Sequence, residues 1–495
     1  MTGTLRSARH LEGDRPLKEL TDRALNIAQT QGATYADVRV VRRQTQSIAV
    51  KNGAVEALEV TEDQGFGVRV IVDGAWGFAS SARLEPAEVD RVTTLAVQIA
   101  RASALVKRED VNLGPPEVHV GIYRTPVQID PFAIPLEEKI ALLLAADKEM
   151  RREPAVKVAK SNMQFIRECK TFASSEGSYI EQEIIESGCG LEATAVSESE
   201  VQKRSYPNSF GRHQGTAGYE LVQAMDLVGN APRVGAEAVA LLSAPQCPSM
   251  ITTLILGATQ LALQVHESCG HPIELDRVFG TEAAYAGTSF LTPEKLGTFR
   301  YGSEMVNITA DATVSGGLGT FGFDDEGLPA QRTPIVRNGV FVGYLTSRET
   351  AARLGQRSNG AMRASGWNRI PIIRMTNVNL EPGEWDFDDL IADTDEGLYM
   401  EMNKSWSIDD KRLNFQFGTE VAYEIRHGRL GQLYKNATYT GITPQFWAGC
   451  DAICNEKHWH VWGTPNCGKG QPSQVAHVGH GTAPARFRNV QVGVM

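Results

Sequence analysis

The first hundred residues alternate between helical and strand-like hydrophobic patterns. Apolar residues recur at helical spacing over 16–31 and again over 84–105, so we predict a helix in each segment. The residues between them form strand-like runs, which lie at 36–43, 46–51, 55–61, 65–72 and 75–80. Asn52-Gly53 and Asp73-Gly74 separate consecutive runs, and both dipeptides favour type I′ hairpins because both turn residues take positive φ. The pattern predicts an antiparallel meander flanked by helices.

The rest of the chain continues this mixture and becomes richer in strands towards its end. Helices are predicted at 136–151 and 234–242, and strands over 156–196 around a turn at 175–177. From residue 251 onward one helix is expected, over 258–270. The strands expected there lie at 333–337, 341–345, 398–403, 413–417 and 421–427, with a hairpin at Asn338-Gly339. We predict an α+β protein with an N-terminal α+β domain over 1–240 and a β-rich C-terminal domain over 241–495.

Composition and charge narrow the functional classes. The chain of 495 residues is too long for one hydrophobic core. Its net charge of −10, with no run of lysine and arginine, argues against a nucleic-acid partner. The most apolar stretch, 251–265, contains threonine and glutamine and is shorter than the roughly 20 residues that a membrane span requires. Residues 1–14 lack the apolar segment of a signal peptide, so we expect a soluble protein.

The number and distribution of the cysteines indicate the cellular compartment. There are seven, an odd number, and they are scattered from Cys169 to Cys467. A secreted disulfide scaffold would be smaller and denser in cysteine. Free thiols and metal ligation in a reducing environment explain this usage better, so we predict a cytoplasmic protein.

The predicted helix of the C-terminal domain ends in a candidate metal motif. His266 and Glu267 lie near its end and His271 follows five residues after the first histidine. On a straight helix that spacing rotates the second ring roughly 140° beyond one full turn, so the rings would diverge. We expect Gly270 to take the backbone out of the helix, and Pro272 to discourage its continuation, so that His271 swings back. On spacing alone, two unrelated helix-end histidines are an alternative explanation.

Several blocks along the chain carry a resemblance to a known family. The run His-Glu-Ser-Cys-Gly-His at 266–271, with the following Pro-Ile-Glu-Leu-Asp, is similar to the signature of the TldD/PmbA family of zinc metallopeptidases, in its TldD-like, metal-binding branch. Further blocks resemble that family in the same order, at 65–80, 324–327, 338–339, 374–377 and 467–471. The resemblance therefore spans nearly the whole chain.

The resemblance implies specific roles for four residues. His266, His271 and Cys467 correspond to the zinc ligands, and Glu267 to the catalytic base. Three protein ligands leave a fourth tetrahedral position for water, whose pKa zinc lowers, and an adjacent carboxylate can accept its proton. The resemblance also implies an enclosed site and a dimer, formed either with a second copy or with a PmbA-like subunit.

Other cysteines leave alternatives open around this assignment. A second plausible metal cluster precedes Cys467 and consists of Cys450, Cys454, His458 and His460. Either of its cysteines could replace Cys467 as the third ligand, or the cluster could hold a second zinc ion. Cys269, inside the motif, is either a packed small hydrophobe or an oxidation-sensitive neighbour of the metal.

Three functional classes follow from these patterns. The leading hypothesis is a zinc peptidase that hydrolyses short or unfolded peptides in an enclosed active site. The alternative is a non-catalytic regulatory or scaffold subunit of a TldD/PmbA-type heterodimer, and the intact His266, Glu267 and His271 argue against it. Only the family's historical naming suggests a third class, a nucleic-acid-associated modulator, and the acidic composition speaks against it.

Overall fold

The computed structural model describes residues 15–493, so the prediction made for residues 1–14 lies outside it. The N-terminal half contains an eight-stranded sheet with the order β3-β2-β1-β5-β6-β4, and β7 and β8 both pair with β6. Its strands are β1 (Tyr35–Lys51), β2 (Ala54–Val72), β3 (Ala75–Ser81), β4 (Val120–Arg124), β5 (Val156–Ser174), β6 (Tyr179–Val196), β7 (Val201–Tyr206) and β8 (His213–Gly215). Its helices are α1 (Arg15–Thr30), α2 (Pro86–Ala104), α3 (Leu136–Met150), α4 (Glu220–Ala224) and α5 (Leu227–Ser243).

The predicted meander is confirmed, with fewer and longer strands than expected. Asn52 and Asp73 have φ of 49° and 48°, and the glycines after them are also positive, so both hairpins turn as predicted. The runs 36–43 and 46–51 are a single strand, β1, and the runs 55–61 and 65–72 are likewise β2. The division was wrong because β1 is paired on both sides, with β2 and β5, and these hydrogen bonds continue through the polar residues between the runs.

The helices of this half cover the sheet in two groups. Apolar residues of α1 and α2 form one buried cluster with β1, β2 and β3, and those of α3 and α5 form another with β5 and β6. The helix predicted over 234–242 begins earlier, at Leu227, because the Asp226 side chain accepts a hydrogen bond from the amide of Gly229 and caps it. Gly229 and Pro232 both lie inside α5.

The C-terminal half is β-rich, as predicted. A seven-stranded sheet has the order β16-β9-β23-β19-β17-β18 with β20 paired to β23, a four-stranded sheet has the order β12-β11-β10-β15, and β13-β14 and β21-β22 form separate pairs. The strands are β9 (Met250–Leu256), β10 (Ile308–Asp311), β11 (Arg332–Arg337), β12 (Val340–Phe341), β13 (Met362–Arg363), β14 (Ile372–Ile373), β15 (Val378–Leu380), β16 (Glu396–Ile408), β17 (Asn414–Arg426), β18 (Arg429–Tyr434), β19 (Thr438–Ile442), β20 (Cys450–Ile453), β21 (His460–Lys469), β22 (Gln474–Thr482) and β23 (Ala485–Val492). The helices are α6 (Ala258–Val265), α7 (Leu275–Val278), α8 (Arg348–Arg353), α9 (Phe387–Ala392) and α10 (Thr443–Ala448).

Three predictions for this half need correction. The runs 413–417 and 421–427 are one strand, β17, which pairs with β16, β18 and β19 along its length. The strand expected at 341–345 is reduced to β12, because Phe341 is the one residue of that run in the strand register with β11 across the Asn338-Gly339 turn. The helices α7 to α10 were not predicted, since each has six residues or fewer and too few positions to display a helical period.

A buried ionic cluster connects the two halves. Asp325, in the 324–327 block, accepts Arg39 of β1 at 3.2 Å and Lys170 of β5 at 2.7 Å. Arg348 of α8 reaches back to Glu176 at 2.7 Å. The N-terminal sheet is therefore fixed against the C-terminal half by paired charges, while the domain boundary near residue 240 stays a prediction. Within residues 15–493 no helix is both long enough and apolar enough to cross a membrane.

Candidate metal site

A π-helical turn brings the two motif histidines together. α6 continues into a π-helix over His266–Gly270, and the amide of His271 bonds to the carbonyl of His266 five residues earlier. Because each π turn holds an extra residue, positions five apart lie on the same face. The two imidazole centroids are 4.9 Å apart. The convergence that the motif required is therefore present.

The predicted route to that convergence was wrong. Gly270 does not leave the helix, since its φ of −71° and ψ of −59° are helical. The glycine is required for packing instead, because a Cβ at this position would lie 2.2 Å from Sδ of Met375. Pro272 lies in the short 3₁₀ turn His271–Ile273 that follows.

Cys467 approaches the histidines from the β21-β22 hairpin. Its Sγ lies 3.7 Å from Nε2 of His271, and the candidate ligand atoms of His266, His271 and Cys467 all lie within 4.8 Å of one another. All three side chains are buried. Arg374 holds the hairpin in place, since its guanidinium donates to the carbonyl of Cys467 on β21 and, at 2.9 Å, to that of Gln474 on β22. The 374–377 and 467–471 blocks are thus in direct contact.

A histidine that sequence reasoning missed fixes the tautomer of His266. Nδ1 of His480 lies 3.0 Å from the carbonyl oxygen of Val378, which only accepts, so that nitrogen carries the proton. Nε2 of His480 then accepts from Nδ1 of His266 at 2.8 Å. Burial holds the pKa of His480 well below its usual range, which keeps the ring neutral. Nε2 of His266 is left unprotonated and able to bind a metal.

His271 is oriented by a carboxylate. Its Nδ1 lies 3.0 Å from Oε2 of Glu274, which is fully buried and 3.5 Å from Nζ of Lys469. Burial opposes ionisation of Glu274, but Lys469 and His271 together hold its pKa below the usual range. A carboxylate behind a ligating imidazole is a common arrangement in metal sites, since it fixes the ring and raises its basicity. Nε2 of His271 consequently points towards Cys467.

The donor set fits a zinc ion. Tetrahedral zinc with Zn–N near 2.0–2.1 Å and Zn–S near 2.3 Å places its ligand atoms roughly 3.5 Å apart, and the Sγ to Nε2 distance of 3.7 Å matches. Burial raises the pKa of the Cys467 thiol, but the proximity of His271 and Arg374 outweighs it and lowers that pKa. Two imidazoles and a thiol biased towards thiolate are the donor set that zinc prefers.

Glu267 lies beside this cluster at the base of a cleft. The cleft has a volume of about 520 Å³, and its wall includes His266, Glu267, His271 and Cys467. Oε2 of Glu267 is ion-paired with Nη1 of Arg412. Burial opposes ionisation of this carboxyl, yet the neighbouring histidines and Arg412 lower its pKa. The carboxylate is thus charged and faces the space next to the candidate ligands.

The alternative cluster is not assembled. Among residues 15–493, His266, His271 and Cys467 form the one group of three or more potential ligands close enough to hold a metal. Cys450 and Cys454 are each buried in a different apolar cluster. Cys269 is a packed thiol, since it lies in the main apolar cluster, its Sγ is 2.7 Å from the hydroxyl of Tyr301 and burial raises its pKa to about 12.

The sequence carries few signals for the additional residues. Glu274 sits three positions after His271 and lies within the motif block, so its spacing could have suggested a role. Arg412 and His480 lie 145 and 214 residues away from the partners they contact, in segments without a metal motif. Only the fold brings them to the site.

Comparison with known proteins agrees with this architecture. Three family models match in order: PmbA/TldA metallopeptidase domain 1 at 36–100, the central domain at 129–244 and the C-terminal domain at 250–494. A metalloprotease of Methanocaldococcus jannaschii is 30% identical over 90% of this chain and 94% of its own length. A zinc metalloprotease TldD homolog of Saccharolobus solfataricus is 24% identical over 84% of this chain and 88% of its own length.

A solved structure shares the fold. TldE from Thermococcus kodakarensis superposes with a TM-score of 0.74 at 17% identity, covering 97% of this chain and 100% of its own. Together with the three family models, these matches extend over nearly the whole chain. The chain belongs to the PmbA/TldD family of metallopeptidases, which confirms the resemblance read from the sequence blocks.

Proposed function

We propose that this protein is a zinc-dependent peptidase that hydrolyses short or unfolded peptides, with His266, His271 and Cys467 as metal ligands and Glu267 as the proton acceptor. One observation carries the proposal. Three buried donors lie within 4.8 Å of one another, next to a buried carboxylate, on the wall of one cleft. The presence of all four side chains disfavours the alternative of a non-catalytic scaffold subunit, which would have no use for them.

The residues around the cleft can perform the required proton transfers. A bound zinc ion lowers the pKa of water and polarises a carbonyl group. Glu267 takes one proton from the attacking water while the water oxygen bonds to the peptide carbonyl carbon. The same carboxyl then delivers that proton to the amide nitrogen, and the C–N bond breaks. The second proton of the water passes from the new carboxyl group to the amine, so the products are a carboxylate and an ammonium group, and the peptide and one water are fully accounted for.

The cleft wall suits an extended peptide with apolar side chains. Its edge includes the backbone of 464–468 on β21, whose other side pairs with β22, so a substrate strand can add there through main-chain hydrogen bonds. Phe210 and Trp406 line the same cleft with ring centroids 5.8 Å apart, and both remain more than two-fifths exposed. An apolar substrate side chain that covered these rings would remove their surface from water.

We propose a PmbA-like subunit as the partner. Residues 54–64 of β2 pair with β1 on one side, whereas β3 covers only 66–72 on the other, which leaves an open sheet edge. This edge carries exposed apolar side chains at 55, 58 and 60. It also carries four acidic residues and no basic ones, so pairing with a second copy would oppose like charges. A partner strand of complementary charge is the better occupant. Seven free cysteines support a cytoplasmic setting.

The proposal is tested by metal-dependent cleavage of unfolded protein and short peptides. Purified protein, alone and with a PmbA-like subunit, is incubated with a peptide mixture before and after chelation, and products are identified by mass spectrometry. We expect cleavage that stops on chelation and returns with zinc. Glu267→Gln should retain zinc and lose at least about 10²-fold in rate, because the general base is absent. Cleavage by the chelated protein, or full activity of Glu267→Gln, contradicts the proposal.

A further inference from the structure

Arg412 is ion-paired with Glu267, and hydrogen bonds fix its backbone in place. It lies between β16 and β17 with φ of 64°, a left-handed conformation that is uncommon outside glycine, asparagine and aspartate. Its amide donates to the carbonyl of Asp409 at 2.9 Å, and its carbonyl accepts from Oγ1 of Thr443 at 2.9 Å. Backbone strain that is fixed from both sides is typical of functional positions.

The guanidinium of Arg412 has unused donors in the cleft. Nη1 is paired with Oε2 of Glu267, but Nε is buried and has no hydrogen-bond partner among residues 15–493. A guanidinium carries five N–H donors in a planar fork, and it cannot lose its charge near neutral pH. Nη2 has no hydrogen-bond partner among residues 15–493 either, and unlike Nε it is not fully buried, so it is the donor that a bound oxygen in the cleft can reach.

The position of this cation relative to Glu267 distinguishes it from the other cleft arginine. Arg212 also lines the cleft, yet no contact joins it to Glu267 in the described chain. Arg412 touches one oxygen of that carboxylate, and Oε1, the other oxygen, has no hydrogen-bond partner within residues 15–493. Glu267 can therefore use Oε1 for the water proton while Oε2 stays on Arg412. Because Arg412 and Glu267 are ion-paired and line the same cleft, a carbonyl group attacked by that water would lie close to the same guanidinium.

We propose that Arg412 is a catalytic residue that binds the oxyanion formed during peptide hydrolysis. The assignment rests on the proposed peptidase activity and adds to it the group that stabilises the developing negative charge. As the water oxygen bonds to the carbonyl carbon, the C=O π electrons move onto the carbonyl oxygen. Arg412 donates to that oxygen, and when the C–N bond breaks the electrons return to re-form the C=O bond. Loss of one such donor typically costs about 10²–10³-fold in kcat.

A purely structural salt bridge would produce a different pattern of effects. If Arg412 only positioned Glu267, replacing it would affect binding and catalysis solely through that carboxylate. If Arg412 binds the oxyanion itself, replacing it would weaken binding of an oxyanion mimic even in a variant that lacks the Glu267 carboxylate. A double-mutant cycle separates the two cases, because residues that act independently give additive effects and residues that act through one another do not.

The cycle uses a phosphinic peptide, whose tetrahedral anionic phosphorus centre resembles the oxyanion. Four zinc-loaded proteins are compared by calorimetry: wild type, Glu267→Gln, Arg412→Gln and the double variant. Arg412→Lys keeps the charge without the planar fork and guards against misfolding of Arg412→Gln. Lys411→Gln is the matched control, since it removes an exposed cation from the same turn. Zinc content and far-UV circular dichroism are recorded for each protein.

We expect Arg412→Gln to weaken phosphinic peptide binding about 10²-fold in both the wild-type and the Glu267→Gln backgrounds. Its kcat should fall by a similar factor with KM near the wild-type value, Arg412→Lys should lose about tenfold and Lys411→Gln less than twofold. An effect of Arg412→Gln that vanishes in the Glu267→Gln background overturns the assignment and leaves Arg412 as a positioning residue. Wild-type protein that holds zinc but neither cleaves peptides nor binds the inhibitor overturns the peptidase proposal as well.

Discussion

The site depends on which nitrogen of each imidazole carries its proton. His480 receives a hydrogen bond from Nδ1 of His266, and Glu274 receives one from Nδ1 of His271, so both Nε2 atoms turn towards Cys467. The thiol lies near the positive charge of Arg374, which favours thiolate over thiol. One neighbouring residue, which does not itself contact the metal, thus orients each candidate imidazole, and another favours the thiolate form of Cys467.

His480→Leu tests the preparation of His266. The leucine fills most of the buried volume but accepts no hydrogen bond, so Nδ1 of His266 loses its partner and the ring loses its fixed tautomer. Zinc affinity should fall about 10–100-fold, as is usual for loss of such a partner. The measurement is competition with a chromophoric chelator.

His477→Leu is the matched control for that experiment. His477 lies on the same strand, β22, and bonds to Glu186 at 2.6 Å rather than to a candidate ligand. Its zinc affinity should stay within about twofold of the wild-type value. Equal affinities for the two variants would show that His480 does not prepare the site.

At the scale of elements, the π turn decides whether the motif can form a site. Spacing alone showed that an α-helix would separate His266 from His271, and it correctly demanded an irregularity near Gly270. It could not identify a π turn, because the hydrogen-bond shift depends on tertiary packing such as the contact between Gly270 and Met375. The Asn-Gly and Asp-Gly hairpins were predictable because positive φ is a local requirement.

Gly270→Ala tests the packing of the π turn. The new Cβ would lie 2.2 Å from Sδ of Met375, a fully buried side chain that must shift to make room. Overpacking of this kind costs typically about 1–3 kcal/mol in the free energy of unfolding. We expect that loss in urea denaturation, together with reduced zinc occupancy.

Gly431→Ala serves as its control, because the exposed Gly431 of β18 offers ordinary contact distances of 3.7 Å or more to an added Cβ. Its free energy of unfolding should change by no more than about 0.5 kcal/mol. A Gly270→Ala protein as stable as Gly431→Ala, with full zinc occupancy, would refute the packing argument.

At the scale of the whole molecule, the sequence predicted the mixed fold and named the residues of the candidate site, but not how distant segments meet. The 266–271 motif named two of the candidate ligands, and the resemblance named Cys467. Arg412 could not be found this way, because it lies 145 residues from Glu267 and only the β16-β17 turn brings the two together. The open edge at 54–64 was also hidden, since its strand pattern looks like that of the paired 65–72 segment.

The open edge predicts a specific assembly defect. Leu58→Lys places a charge among the exposed apolar side chains of 54–64 and should raise the dissociation constant for a PmbA-like subunit at least about tenfold, or 1.4 kcal/mol. Leu105→Lys, at the end of α2 and 86% exposed, is the matched control and should leave it unchanged. Analytical ultracentrifugation of the mixed subunits measures both. Equal effects of the two substitutions would exclude the edge as the interface.

The central claim is that His266, His271 and Cys467 hold one zinc ion, and X-ray absorption at the zinc edge tests it most directly. The purified protein should show nitrogen or oxygen neighbours at about 2.0–2.1 Å and one sulfur at about 2.3 Å. Cys467→Ser should lose the sulfur signal, whereas Cys450→Ser and Cys454→Ser should keep it. Zinc without a sulfur neighbour, or a sulfur signal that survives Cys467→Ser, would contradict the claim.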